Sequence, residues 1–181
     1  MHPTRHEDCA GSQHTDTAVP VWVLLSGGID SAACVALYKS QNCAVTGIHI
    51  DYGQPAALYE ERAARLIASH YGVPLYTLTW SGLRAKGPGE ILGRNVFLLS
   101  AAVMEIDTPC AIIAMGLHAG TPYYDCSEHF LALVQRMYDA YSNGRIQVAA
   151  PFVQWTKQQL WQYEVAPVSR TVRMLKVIGR G

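Results

Sequence analysis

An apolar, strand-forming run, Val21-Trp22-Val23-Leu24-Leu25, breaks into Ser26-Gly27-Gly28-Ile29-Asp30-Ser31 and passes at once into the helix-period run Ala32, Ala33, Val35, Ala36, Leu37. Strand, glycine turn and helix in immediate succession form the opening unit of a parallel α/β sheet. Because the turn opens a helix, unpaired N–H groups and the positive end of the helix dipole point at whatever sits over the loop. The two glycines let the backbone approach an oxyanion closely. Ser26 and Ser31 add hydroxyl donors, and Asp30 offers an oxygen to a metal that bridges phosphate oxygens. The expected ligand is a polyphosphate. The stretch has no Lys before its final Ser, so it is not a Walker A loop, and it does not fit the dinucleotide pattern G-x-G-x-x-G.

The rest of the chain repeats the alternation. Strands are expected over 43–51, 74–79, 110–116 and 145–149. Helices are expected over 55–71, with Ala63, Leu66, Ile67 and His70 on one face and Gly72 as its stop, and over 95–107. A further helix reaching Tyr141 is expected to open with Asp125 and Glu128 as a capping box, and a short last one with Thr156 and Gln159. The predicted fold is α/β, a mostly parallel sheet with helices on both faces. Ligands of such sheets bind beyond the carboxyl ends of the strands, near the switch in strand order.

At 181 residues the chain suits one domain. We expect a disordered leader over 1–18, the domain over 19–163, and a divergent or truncated basic tail over 164–181. Lys plus Arg equal Asp plus Glu at 14 each, which excludes electrostatic capture of nucleic acid as the main activity. No apolar run of about 20 residues could span a bilayer. The polar first twenty residues lack the apolar core of a secretory signal. An odd set of five cysteines without a C-x-x-C points to reduced thiols and a cytoplasmic location.

Three further segments carry chemistry. Asp51-Tyr52-Gly53-Gln54 leaves the second strand and places a carboxylate, a phenol and an amide beside the phosphate loop, though a plain turn uses Asp and Gly equally well. Gly93-Arg94-Asn95 opens a helix with a guanidinium at its N-terminus, a second anion site, with Asn95 also suited to cap that helix. Leu117 to Cys126 contains His118, Tyr123, Tyr124 and Asp125, side chains that can stack on a heterocycle and bond its N–H edge. Cys126 reads either as a buried thiol or as a nucleophile. Lys157 at the last helix start is either phosphate-binding or solvated.

Ser-Gly-Gly-Ile-Asp-Ser resembles the pyrophosphate loop of the ATP pyrophosphatase superfamily, and the order SGGIDS, DYGQ, GRN, YYDC, TK resembles the 7-cyano-7-deazaguanine synthases. The resemblance covers about Val21 to Trp161. It implies a Rossmann-like adenine nucleotide hydrolase fold and two rounds of ATP-dependent adenylation, which turn the carboxylate of 7-carboxy-7-deazaguanine into an amide with ammonia and then into a nitrile. It implies that Ser26, Gly27, Gly28, Asp30 and Ser31, with Asp51 and Gln54, bind ATP. Asp30 would hold Mg²⁺, and Arg94 and Lys157 would act with Asp30 in catalysis. Tyr52, Asn95, His118, Tyr123, Tyr124 and Asp125 would meet the deazaguanine.

The family's four-cysteine zinc site has no counterpart here, since no cysteine follows Cys126, and the substrate loop carries His118 where an Asn is usual. Zinc is therefore expected in the family but not in this chain. Both departures fit a divergent homologue of the kind used in antiviral defence, with a protein or nucleic-acid acceptor. A homodimer is expected. The alternatives are another superfamily ligase, a tRNA-thiolating enzyme built on Cys110 and Cys126, or a non-catalytic nucleotide-binding protein.

Overall fold

The structure, a computed structural model, describes residues 19–82 and 90–163. The expected leader and tail lie outside the described residues. Five strands, β1 (Val21–Leu24), β2 (Val45–Asp51), β3 (Leu75–Thr79), β4 (Ala111–Met115) and β5 (Ile146–Ala149), alternate with α1 (Ile29–Ser40), α2 (Ala57–Tyr71), α3 (Arg94–Glu105), α4 (Glu128–Ser142) and α5 (Lys157–Gln162). They form one sheet in the order β3-β2-β1-β4-β5, every neighbouring pair parallel. This confirms the predicted α/β sheet.

The period-2 alternation of the strands divides the core in two. Val21, Val23 and Leu25 join α1 and α2 on one face, together with Leu160 of α5. Trp22, Leu24, Ile48, Ile50 and Ile113 join α3 and α4 on the other. β1 is buried along its whole length, which is why it reads as an unbroken apolar run. On the first face α1 presents Ala32, Ala33, Cys34 and Val35, all buried, and these small side chains let it lie close to the sheet. Burial pushes the Cys34 thiol far above its ordinary range, so it is an inert packing group.

The start of α1 is set by two close approaches. Gly27 sits at φ +74°, and a Cβ there would lie 2.6 Å from Ala63 Cβ and 2.7 Å from the Glu60 carbonyl oxygen. A Cβ on Gly116, just past β4, would lie 2.5 Å from the backbone carbon of Asp30 and 2.5 Å from the Ser31 nitrogen. Helix, loop and strand end therefore touch backbone to backbone.

Three local expectations are corrected. α2 buries Ala63, Ala64, Ile67 and Ala68, while Leu66 and His70 face solvent, because its small residues, not its larger ones, fit under the phosphate loop. α4 is capped by Ser127, whose hydroxyl accepts from the Phe130 N–H at 3.1 Å; Asp125 instead lies one turn earlier in a short 3-10 turn, Tyr124–Cys126. Asn95 is not a cap either, since α3 starts at Arg94 behind Gly93 at φ +76°. The last helix agrees with its sequence signal: Thr156 and Gln159 form a reciprocal capping box.

Ser127→Ala should lower stability by about 1 kcal/mol, and Gly116→Ala by about 1–3 kcal/mol, because its added carbon meets backbone that cannot rotate away. Urea unfolding followed by circular dichroism measures both.

Candidate active site

The strand order reverses direction at β1, so the loops after β1 and β4 diverge and leave a crevice beyond their carboxyl ends. A cleft of about 240 Å³ occupies this place. Its floor is the ends of β1, β2 and β4, including Leu25, Ile50 and Met115. Its walls carry Ser26, Ser31, Tyr52, Gln54, Arg94 and Asn95, so the phosphate loop, the second loop and the start of α3 do converge.

Within the phosphate loop, Ser31 Oγ donates to the Gly28 carbonyl at 2.9 Å and stands 3.5 Å from Ser26 Oγ. Gly28, at the N-cap of α1, receives no side-chain capping bond, which leaves the helix start available to an anion. Asp30 lies in the first turn. Both of its carboxylate oxygens accept from Lys157 Nζ at 2.7 Å, and His118 Nε2 faces Oδ2 at 3.9 Å. His118 Nδ1 is 2.6 Å from the Ala119 carbonyl oxygen, so Nδ1 carries a proton and donates to it. Three sequence-distant residues thus meet above the loop.

Arg94 occupies the opposite wall. Its Nε donates to Asn95 Oδ1 at 3.2 Å and its guanidinium faces the Tyr52 phenol. Burial raises the Tyr52 phenol above the ordinary tyrosine range, and the Arg94 charge opposes that shift. Gln54 ties its loop together. It donates to the Ile50 carbonyl at 3.3 Å and to Glu60 Oε2 at 3.0 Å, while its Oε1 accepts from the Tyr52 N–H at 2.9 Å. Asp51 Oδ1 accepts from the Gly53 N–H at 2.9 Å, the ordinary turn role of an Asp-x-Gly.

The remaining predicted residues are placed elsewhere. Asp125 is buried and engaged: Oδ2 accepts from the Asn95 N–H at 3.4 Å, and its carbonyl accepts from Asn95 Nδ2 at 2.8 Å. Tyr124 is half exposed and its hydroxyl is 3.0 Å from His129 Nδ1. Tyr123 supplies its carbonyl to the Cys126 N–H. Burial, with the Asp125 carboxylate, raises the Cys126 thiol, the opposite of what a nucleophile needs.

One cleft residue was not foreseen. His49 of β2 is 1% exposed; its Nδ1 lies 3.0 Å from the Leu25 carbonyl oxygen, so Nδ1 carries the proton. Its Nε2 is buried without a hydrogen-bond partner among the described residues, on a ring that lines the cleft. A histidine within the aliphatic alternation Ile48, Ile50 was the available signal. Glu60, reached through Gln54, was the other omission.

Among the described residues no three His, Cys, Asp or Glu side chains gather as a metal site. A single carboxylate beside an anion-binding loop, as Asp30 is, fits Mg²⁺, which takes one or two carboxylates plus substrate phosphates.

Comparison with known proteins gives the same outline. Residues 20–91 and 88–167 match the family described as queuosine biosynthesis protein QueC. A 7-cyano-7-deazaguanine synthase from Aquifex aeolicus is 32% identical over 168 residues, 76% of this chain and 77% of the relative. One from Synechococcus sp. (strain CC9605) is 29% identical over 166 residues, covering 76% and 74%. Among solved structures, the U34-tRNA thiolase NcsA from Methanococcus maripaludis, with its [4Fe-4S] cluster, superposes at TM-score 0.53 and 12% identity, over 86% of this chain and 58% of the thiolase. A predicted tRNA methyltransferase subunit from Methanocaldococcus jannaschii gives TM-score 0.50 at 18% identity, over 80% and 73%. These two likenesses concern the fold alone, whereas the sequence match spans most of the domain and includes the phosphate loop, the Arg94 helix and the Lys157 segment: the chain belongs to the QueC family.

Proposed function

We propose that this protein is an ATP-dependent ligase of the 7-cyano-7-deazaguanine synthase type, acting on a 7-deazaguanine carboxylate. The observation that carries this reading is the juxtaposition of an open helix N-terminus, Asp30 and Lys157 at the switch point of the sheet, with Lys157 Nζ 2.7 Å from both Asp30 oxygens. It rests also on membership of the QueC family.

In the first round a carboxylate oxygen of the acceptor attacks the α-phosphorus of ATP, and pyrophosphate leaves. Ammonia then attacks the acyl carbon, releases AMP and forms the amide. In the second round the amide oxygen attacks the α-phosphorus of a second ATP and expels pyrophosphate; loss of AMP and of both nitrogen protons then leaves the nitrile. The phosphate loop N–H groups hold the departing pyrophosphate, and Lys157 moves its charge from Asp30 onto it. Asp30 is then free to hold Mg²⁺, which supplies neutralisation of phosphate charge when bound. Arg94 stands on the other wall, where the acceptor carboxylate must arrive.

Thiolation is the weaker reading. Cys110 precedes β4 and so lies at the amino end of the sheet, away from the cleft, and the Cys126 thiol is raised.

With 7-carboxy-7-deazaguanine, ATP, Mg²⁺ and ammonium, the protein should release AMP and pyrophosphate. Release of ADP and phosphate, or no turnover, would refute the assignment. Asp30→Ala and Lys157→Ala should each lower kcat on the order of 10²-fold or more. Both should leave the urea midpoint nearly unchanged, since a solvent-facing ion pair contributes about 0–1 kcal/mol. A variant with near-native kcat would remove that residue from the mechanism.

A further inference from the structure

We propose that the acceptor's heterocycle is held not by the Tyr124–Asp125 loop but in a second cavity walled by Trp80, Phe97 and Tyr52, where Glu90 reads its amino edge and Arg94 its carboxylate. This rests on the ligase reading and locates the acceptor within it. The cavity measures about 530 Å³ and is lined by those five residues with Ile91, Leu92 and Gly93. Tyr52 and Arg94 also line the phosphate-loop cleft, so the two compartments meet at these side chains.

The aromatic wall is built. Phe97, one turn into α3, meets Trp80 edge-on at 5.3 Å and 78°, and Tyr52 edge-on at 6.3 Å and 81°. The Trp80 backbone N–H donates to the Asp51 carbonyl at 2.6 Å, which extends the β2–β3 ladder by one bond and fixes where the indole leaves the sheet. Trp80 nevertheless stays 52% exposed. An indole held in place yet half uncovered is a surface for a flat ring, because aromatic faces stack on any heterocycle.

The charges match the acceptor end for end. A deazaguanine carboxylic acid is an anion at its carboxylate and a pair of donors at its N1–H and exocyclic amine. Arg94 supplies a planar fork for the first. Glu90 supplies a carboxylate for the second. The alternative groove, about 460 Å³ and lined by Tyr124, Asp125, Val96, Phe130 and Leu133 among others, borders the aromatic cavity at Glu90, Leu92 and Gly93 but shares no lining residue with the phosphate-loop cleft, whereas the aromatic cavity shares Tyr52 and Arg94 with it. A ring seated there lies across the start of α3 from the reacting phosphate, and the Asp125 carboxylate it would use already bonds the Asn95 N–H.

The test is calorimetric binding of 7-carboxy-7-deazaguanine and its 2-deamino analogue without ATP, alongside AMP release by the wild type. Trp80→Ala should weaken the acid roughly tenfold or more, with Trp80→Phe recovering part of the loss. Glu90→Gln should erase most of the wild type's preference for the amine-bearing ligand. Glu90 borders both hollows and Trp80 only the aromatic one, so Trp80 decides between them: if the wild type forms AMP while Trp80→Ala binds the acid as it does, the cavity assignment is overturned and the ligase reading stands. Loss of the amine preference in Asp125→Asn but not in Glu90→Gln also overturns it. A wild type that neither binds the acid nor forms AMP overturns the ligase reading itself.

Discussion

The arrangement depends on backbone meeting backbone at the start of α1. Gly116 brings the end of β4 against the main chain of Asp30 and Ser31, and Gly27 brings the phosphate loop against the first turns of α2. At Gly116 the contact is with main-chain atoms alone, and at Gly27 it is with the Glu60 carbonyl and the small Ala63 methyl. Interiors packed at this closeness transmit small displacements instead of absorbing them. Close packing of this kind limits how the loop can rearrange, and donors fixed in advance are what electrostatic catalysis requires, since they need no reorganisation when charge develops.

On that platform the sheet assembles residues that the sequence keeps far apart. Asp30 and Lys157 are 127 residues apart, and their contact depends on how α5 is held. Leu160, fully buried, pins the helix to the core shared by α1 and α2. Phe152, Trp155 and Tyr163 pack edge-on or tilted at 5.0, 5.5 and 5.8 Å around the loop that leads into it. The ion pair itself adds little to stability, being solvent-facing. Its value is positional: it holds the Lys157 ammonium beside the open start of α1, where the proposed mechanism needs a cation for the leaving pyrophosphate.

What could be read from the sequence was local chemistry. A Ser-Gly-Gly turn between an apolar strand and a helix defines its own geometry, and the Thr156–Gln159 box is complete within four residues, so both were legible. The α4 cap was misread because Asp125 and Ser127 are both good caps two residues apart, and only tertiary placement decides between them. Asp125 went instead to Asn95, a bond across 30 residues that no spacing rule reports. His49, Glu60 and Trp80 were invisible for the same reason: each becomes a wall of a cavity only when neighbouring strands align their carboxyl ends.

Arg94 shows how the two compartments are joined. Its neighbour Asn95 supplies Oδ1 to the guanidinium at 3.2 Å and turns Nδ2 to the Asp125 carbonyl at 2.8 Å, so the amide links the start of α3 to the short turn before α4. Tyr52, on the loop after β2, faces the same guanidinium. The cation is thus oriented from two separate elements and presented where the cleft and the aromatic cavity meet. In the proposed reaction, a carboxylate drawn to it from the aromatic side would face the phosphate loop, as attack on an α-phosphorus requires. Positioning of this kind replaces a bimolecular encounter by a near-attack arrangement, an effect worth several powers of ten in rate. The Asp125 of the sequence reading then has a definite part: through Asn95 it steadies the residue that steadies Arg94.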